Sequence, residues 1–328
     1  MLNGGHMKSY VHSSNLISEV TSNQNLKSAF SFICKARNNE HHNSDIWSVR
    51  RNWREVRTKI RNTLQNGQYQ LSPVALFRCK TTGRYLTRWS SVDAIVLQAI
   101  SFVISKIVGE QTDLRCTHIK GNGGLKGATT MVNDSLRQQA YRFVIKSDVA
   151  NFYDSMDHQR VMDCCKTVIK DKKIQTIIAQ YLNRVEVINA KHNLVEKGIA
   201  MGCPLSPLMG ALILKSLDKM LGLYYFYVRY MDDWVILTRT RQQCRRLVKK
   251  MHEIMHRLKF KLAIDKTYIG KIENGFDFLG YRFNHKGIVG LAKKTIHNFI
   301  SRLRVLYEQN ATDLRIAQYV RRWMRCFC

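Results

Sequence analysis

The 328-residue chain has no run of 18 apolar residues and no secretory signal, so its sequence predicts neither a membrane span nor export. It also lacks the localised basic amphipathic helix beside an apolar anchor that a membrane-surface protein would need. None of its nine cysteines stands in a C-x-x-C pair. An odd count without paired spacing argues against a disulfide frame and a zinc site, and predicts reduced thiols in a cytoplasmic protein. The eleven histidines form no H-E-x-x-H or Cys/His pattern. Internal repeats and low-complexity tracts are missing too, so a solenoid or a disordered chain is not expected. Acid is the remaining scarcity: 24 Asp and Glu face 53 Lys and Arg, a formal charge of +29 spread over the whole chain. Such a domain repels itself unless a polyanion neutralises it, which makes nucleic acid the expected partner. With 45% apolar residues, the chain can fill a substantial core divided among two or three subdomains.

What the chain does carry is a carboxylate pair. Tyr230-Met231-Asp232-Asp233 lies between Tyr224-Tyr225-Phe226-Tyr227-Val228-Arg229 and Trp234-Val235-Ile236-Leu237. Aromatic and β-branched runs read as strands, which puts the two acids in a hairpin turn. By itself an Asp-Asp turn is equally a solvated loop. A pair that holds divalent cations for phosphoryl transfer needs a third carboxylate from another element, because Mg²⁺ takes oxygen ligands in octahedral geometry. Tyr141-Arg142-Phe143-Val144-Ile145-Lys146-Ser147-Asp148 supplies it, as an apolar strand ending on the acid. Beyond it, Val149-Ala150-Asn151-Phe152-Tyr153-Asp154-Ser155-Met156-Asp157-His158 turns towards a helix, with Asp154 and Asp157 read as helix-start caps.

Helical periodicity marks residues 45–64, 91–107 and 241–258. Ser206 reads as an N-cap and Pro207 as the first residue of a helix through Leu221. After Gly287 the pattern is wholly helical, with Ile296, Phe299, Ile300, Leu303 and Leu306 on one stripe and Ile316, Val320, Trp323 and Met324 on another. Gly121 to Thr130 is not a P-loop, since Gly127 follows Lys126 where Ser or Thr is needed; it reads as a loop, either mobile or touching a template backbone. The arginines of residues 45–64 serve either solvation or RNA contact. The start, Met1-Leu2-Asn3-Gly4-Gly5-His6-Met7, has the look of a cloning remnant and carries no structural expectation.

With strand-Asp and Tyr-Met-Asp-Asp in place, the chain resembles reverse transcriptases. Lys80-Thr81-Thr82-Gly83-Arg84 with Asp93 and Gln98 is similar to the fingers of bacterial and group II intron-like enzymes. Gly121-Asn122-Gly123-Gly124-Leu125-Lys126-Gly127-Ala128 resembles their glycine-bearing insertion. Gly198-Ile199-Ala200-Met201-Gly202-Cys203-Pro204-Leu205-Ser206-Pro207 resembles the loop that carries template and incoming nucleotide. Phe260-Lys261-Leu262-Ala263-Ile264-Asp265-Lys266-Thr267 and Phe276-Asp277-Phe278-Leu279-Gly280-Tyr281 resemble the last palm elements and the primer grip. The chain departs from the family where Ala200-Met201-Gly202 replaces Pro-Gln-Gly and where Ala211 replaces Asn, which puts ordinary template contacts in doubt. No maturase extension, HNH pattern or RNase H domain is expected after the primer grip. The nearest resemblance is to the compact defence-associated enzymes of the unknown-group class.

The resemblance implies an α+β right-hand polymerase fold with fingers, a palm whose antiparallel sheet packs on helices, and a short helical thumb. It divides the chain into an N-terminal extension (1–40), fingers with an RT0-like helix and insertion loop (41–140), palm with primer grip (141–285) and thumb (286–328). Asp148, Asp232 and Asp233 are the catalytic candidates and, with the Val149 carbonyl, the ligands for Mg²⁺, with Mn²⁺ as a substitute. Lys80, Arg84, Tyr153 and Lys266 are the candidates for holding nucleotide: Lys80 and Arg84 on the triphosphate, Tyr153 as a ring under the sugar and Lys266 as a proton donor to pyrophosphate. Surface solvation competes for the two fingers cations and Lys266, and a core position competes for Tyr153. Gly202, Ser206, Tyr230, Phe278, Leu279 and Gly280 are the template and primer candidates. The expected partners are a structured noncoding RNA as template and scaffold, dNTPs and the DNA product, with no membrane. Three functional readings stand together: RNA-templated DNA synthesis in antiphage defence, untemplated or protein-primed DNA synthesis, and an idle RNA-binding scaffold. Retention of all three acids disfavours the last.

Overall fold

The computed structural model describes residues 15–78, 83, 85–188, 191–222 and 225–327. At its centre a four-stranded sheet runs in the order Phe226–Tyr230, Asp233–Thr238, Phe143–Asp148, Tyr268–Lys271, with every neighbouring pair antiparallel. Because side chains alternate along a strand, this sheet feeds two cores. Ile145, Tyr227, Trp234 and Ile236 join the principal core with Leu247, Met251 and Met255 of the helix Arg241–Leu258. Val144, Val228, Val235 and Leu237 face the other way onto Ala128, Val132 and Leu136 of the helix Gly124–Arg137. The catalytic candidates therefore stand at the end of a sheet clamped on both faces.

A second sheet is ordered Tyr85–Arg88, Val74–Arg78, Val185–Ile188, Lys191–Leu194; its parallel middle pairing joins two strands of the expected fingers segment to two from the expected palm segment. The helix Ser91–Gln111 follows its edge strand Tyr85–Arg88 and packs on the helices Asn23–Ala36 and Ser206–Ile213. Ser90 caps this helix by accepting from the Asp93 N–H, and the buried Asp93 carboxylate is held by the Tyr69 hydroxyl at 2.7 Å and the Ser72 N–H. By length and composition this helix could cross a membrane, but Ile95, Val96, Ala99, Ile100 and Ile104 are fully buried in the principal core, which accounts for its apolarity. The helices Leu16–Val20 and Asn23–Ala36 pack into that same core.

Four expectations change. Residues 45–64 form two helices, Asp45–Arg51 and Trp53–Gln65, broken at Asn52 where Trp53 turns to stack on Phe30 at 4.0 Å. Gly121–Thr130 is largely not a loop: Gly123, at φ 91°, starts the helix Gly124–Arg137, a conformation glycine takes without penalty. Leu205, not Ser206, precedes the helix Ser206–Ile213, which ends at Leu214 before a second helix, Lys215–Gly222. After Gly287 the chain first makes the strand Gly287–Leu291, which completes a three-stranded sheet with Tyr281–Asn284 and Phe276–Phe278. Only then do the thumb helices Lys293–Glu308 and Asp313–Phe327 follow, joined by Phe299 stacking on Trp323 at 4.1 Å.

Candidate active site

The strand pairing places Asp148 directly opposite Asp233, and Tyr230 opposite Asp233 on its other side. Met231 and Asp232 are thus the two central residues of a tight hairpin turn. Asp148 is 8% exposed, and on its far side Ala263 N–H donates to the Asp148 carbonyl while Ala150 N–H donates to the Lys261 carbonyl. These bonds fix the backbone on both sides of Val149. Lys266 Nζ reaches both oxygens of Asp148, at 3.0 and 3.1 Å. Lys146, two residues before Asp148 and hence on its face of the strand, lies 3.6 Å from Asp233 Oδ1, which is buried without a hydrogen-bond partner among the described residues.

Burial raises the Asp233 carboxyl to about 7, with Lys146 pulling it down and the neighbouring Asp148 and Asp232 adding to the rise. Asp232 is raised by the same burial and then by Asp148. Three carboxylates carried at one end of the sheet, one with an orphaned oxygen, match a hard divalent cation in donor type. Among the described residues no three acidic, Cys or His side chains are already gathered around one point. The two lysine ammonium groups instead lie against Asp148 and Asp233, and would have to yield to an incoming cation.

A stability prediction follows from Asp233. Its folded value lies above that of an unfolded Asp, about 3.9, so the folded chain binds the extra proton between the two values and loses stability as pH rises from about 4 through about 7. In chelator, Asp233→Asn is expected to melt above wild type near pH 8, by roughly 2–4 °C per kcal/mol recovered, with the difference closing towards acid. Thermal melts of both proteins across this range check it; a variant that melts lower near pH 8 contradicts it.

Around this centre the other candidates sort themselves. Tyr153 is half-buried, its hydroxyl 3.8 Å from Met231 Sδ, while Phe152 is 4% exposed and packs on Phe260. Tyr153, Met231 and the exposed Gly202, at φ 90°, line a cavity of about 650 Å³ that extends to Arg88 and Gln98 of the fingers. Thr87 N–H and hydroxyl both give to the Met201 carbonyl, tying the second sheet to that loop. Leu279 and Gly280 form a turn that faces Asp233 and Lys266 across a groove of about 810 Å³, with Lys294, Thr295 and Asn298 of the thumb on its edge. Gly280 carbonyl accepts from Ala292 N–H and from the Thr295 hydroxyl, which joins this turn to the first thumb helix.

Two template and primer candidates are corrected. Ser206 is 2% exposed, its hydroxyl bonded to the Ala200 carbonyl and the Tyr181 hydroxyl, so it shapes the Met201–Gly202 loop from inside. Phe278 is 1% exposed and shares a core with Phe276 and Phe283, leaving Leu279 and Gly280 to meet the groove. Asp157 does cap the helix His158–Val168 through the Arg160 N–H, whereas Asp154 is exposed in the turn before it. Lys80 and Arg84 lie outside the described residues.

Sequence reasoning missed the groups that hold the turn. His118 Nδ1 accepts from the Met231 N–H at 3.0 Å, and Arg229 Nη1 donates to the Met231 carbonyl at 2.7 Å. Arg229 is fully buried on Asp218, which also accepts from the Tyr227 hydroxyl. His118 stands just before the glycine-rich insertion, and Arg229 inside an apolar strand run; neither spacing pointed to the turn.

The family model for reverse transcriptase (RNA-dependent DNA polymerase) matches residues 92–283. Protein YkfC of Escherichia coli (strain K12) is 23% identical over 181 residues, 44% of this chain and 48% of that protein. The group II intron-encoded protein LtrA of Lactococcus lactis subsp. cremoris is 26% identical over 118 residues, 36% of this chain and 19% of LtrA. The chain therefore spans half or less of the curated relatives it matches. Among solved structures, a partial Cas6-RT-Cas1–Cas2 complex aligns with 74% of this chain and 42% of its own at 20% identity, with a TM-score of 0.47. The family model spans the strand that ends on Asp148 and the hairpin that carries Asp232 and Asp233: the chain belongs to the reverse transcriptase family.

Proposed function

We propose that the chain is an RNA-dependent DNA polymerase that copies a cognate noncoding RNA into cDNA, in the setting of antiphage defence. The observation that carries the polymerase reading is the register of Asp148 with Asp233, beside Asp232 in a turn that also abuts Tyr153. In this reading Asp148, Asp232, Asp233 and the Val149 carbonyl hold the divalent cations, Mg²⁺ with Mn²⁺ as a substitute. When bound, such cations neutralise the charge that grows on the attacking and leaving oxygens. Lys266, released from Asp148, is the proton donor for the leaving pyrophosphate. Lys80 and Arg84 take the triphosphate, and the Leu279–Gly280 turn positions the primer end.

Tyr153 supplies the sugar check. Its ring, wedged between Phe152 and Met231, occupies space a 2′-hydroxyl would need. Tyr153→Ala is expected to raise NTP use relative to dNTP use by about tenfold or more in kcat/KM, measured with matched pairs; an unchanged ratio in an active variant places the check elsewhere.

The basic excess is the RNA-binding term. Arg50 and Arg61 are engaged within the fold, on the Cys34 and Thr21 carbonyls, but Arg51, Arg54 and Lys59 are exposed and free to meet phosphate. Sequencing the nucleic acid that copurifies from the native host, and competing it against bulk tRNA, tests the cognate-RNA reading. One dominant RNA that resists tRNA near physiological salt supports it, with a log–log salt slope of about −0.7 per contact if single strands are bound. A mixed pool displaced by tRNA would favour untemplated or protein-primed synthesis.

A further inference from the structure

Met231 has φ +55°, and it is a non-glycine residue at the first central position of a two-residue hairpin whose second central residue, Asp232, is not in the positive-φ region. That sign pattern belongs to a type II′ turn, whose first central position ordinarily falls to glycine. A side chain held there costs of order 1–3 kcal/mol and persists only when its surroundings over-determine it. At this turn the surroundings do so through the backbone itself. Both backbone polar groups of Met231 are engaged by side chains: the N–H by His118, from outside the hairpin, and the C=O by Arg229, two residues earlier in the strand that enters the turn.

The chemistry of the two bonds on His118 fixes its form. Nδ1 can accept from the Met231 N–H only if it carries no proton. The ring proton then sits on Nε2, 3.1 Å from the Pro207 carbonyl, to which it donates. Tyr230 packs edge-on against the same ring at 6.0 Å. His118 itself is anchored, because Thr117 N–H and hydroxyl both bond to the Arg229 carbonyl and Asn122 Nδ2 ties the loop to the Asp113 and Cys116 carbonyls. The imidazole therefore bridges the hairpin turn to the helix start at Pro207, next to the Gly202 loop. Arg229 closes the other side, with its remaining donors spent on Asp218 and the Cys116 sulfur.

We propose that His118 is a positioning residue for the reaction: a neutral Nε2–H imidazole that sets the Asp232–Asp233 turn relative to the nucleotide loop by holding the Met231 amide. It touches no substrate in this reading. Its effect reaches the cations through one rigid turn, where a displacement of the order of 1 Å is enough to lower turnover about a hundredfold. The inference rests on the assignment of Asp232 and Asp233 as cation ligands, and the control below separates the two.

The test uses the geometry of imidazole. An Asn side chain places its amide oxygen near the position of Nδ1, so His118→Asn retains the acceptor for Met231 and loses the donor to Pro207. A Gln side chain reaches the position of Nε2, so His118→Gln does the reverse. Primer extension on RNA, with kcat and dNTP KM determined separately, is paired with binding of free Mn²⁺ measured by electron paramagnetic resonance. His118→Gln and His118→Ala are expected to lose about 30- to 100-fold in kcat, with KM within about threefold, and to need about tenfold more Mn²⁺ for half-saturation. His118→Asn is expected to stay within about threefold of wild type in all three. Wild-type turnover in His118→Gln, or a loss in His118→Asn as deep as in His118→Gln, would overturn the proposal. Asp232→Asn run alongside must be inactive and bind Mn²⁺ poorly; if it does not, the cation assignment fails first.

Discussion

Asp232→Asn is expected to reduce dNTP incorporation by about a thousandfold or more, equivalent to about 4 kcal/mol of lost transition-state stabilisation. The residue sits at the tip of the central hairpin with its carboxyl raised by burial and then by Asp148, so its charge is unfavourable to the fold on its own account. An amide there removes an anionic ligand while preserving shape. The melting temperature is therefore expected to hold or rise, and RNA affinity to stay unchanged, because the proposed phosphate contacts Arg51, Arg54 and Lys59 lie on the helices Asp45–Arg51 and Trp53–Gln65. Single-turnover incorporation on a primed RNA, with melting and binding measured on the same preparation, checks all three. An inactive variant that is also unfolded would say nothing of ligation; an active one would remove Asp232 from the cation site.

Asp218→Ala carries the largest expected loss of stability. Arg229 is 0% exposed and Asp218 is 1% exposed, and the carboxylate accepts from Arg229 Nε at 2.7 Å and from the Tyr227 hydroxyl at 2.7 Å. Deleting the acid leaves a guanidinium buried without its counter-charge, which costs about 3–5 kcal/mol and corresponds to a fall in Tm on the order of 10 °C. The loss also reaches the active site, since the same Arg229 donates to the Met231 carbonyl. Asp218→Asn keeps an acceptor and is expected to fall less. Thermal melts of the two variants decide this; an Asp218→Ala protein within about 2 °C of wild type would mean that water or a rearranged side chain compensates the arginine.

The central sheet was legible because its signals are local. Val144, Ile145, Val235, Ile236 and Leu237 announce buried strands, with Asp148 ending one, Asp233 beginning the next and Asp232 in the turn before it. The same holds for the helix Arg241–Leu258, whose apolar stripe lies within its own residues. What was not legible depends on partners far along the chain. His118 and Met231 are 113 residues apart, as are Arg229 and Cys116, and no periodicity encodes such a bond. Ser206 looks like an N-cap from its Ser-Pro context, yet its hydroxyl finds the Ala200 carbonyl and Tyr181, so it stands inside the helix as its first residue and caps nothing. Phe278 carries the expected primer-grip pattern, but strand alternation sends its ring into the core and leaves Leu279 and Gly280 on the groove. Lys146 read as one more lysine until the strand register set it on the Asp148 face, near Asp233. The break at Asn52 was hidden because the apolar spacing continues through it.

Templated DNA synthesis by Asp148, Asp232 and Asp233 is read out by extending a labelled DNA primer on a defined RNA with all four dNTPs and Mg²⁺, then sequencing the product. A DNA strand complementary to the RNA is expected from wild type, absent with Asp232→Asn and absent in chelator. A product whose sequence is independent of the RNA supplied, or one that persists in Asp232→Asn, would contradict it.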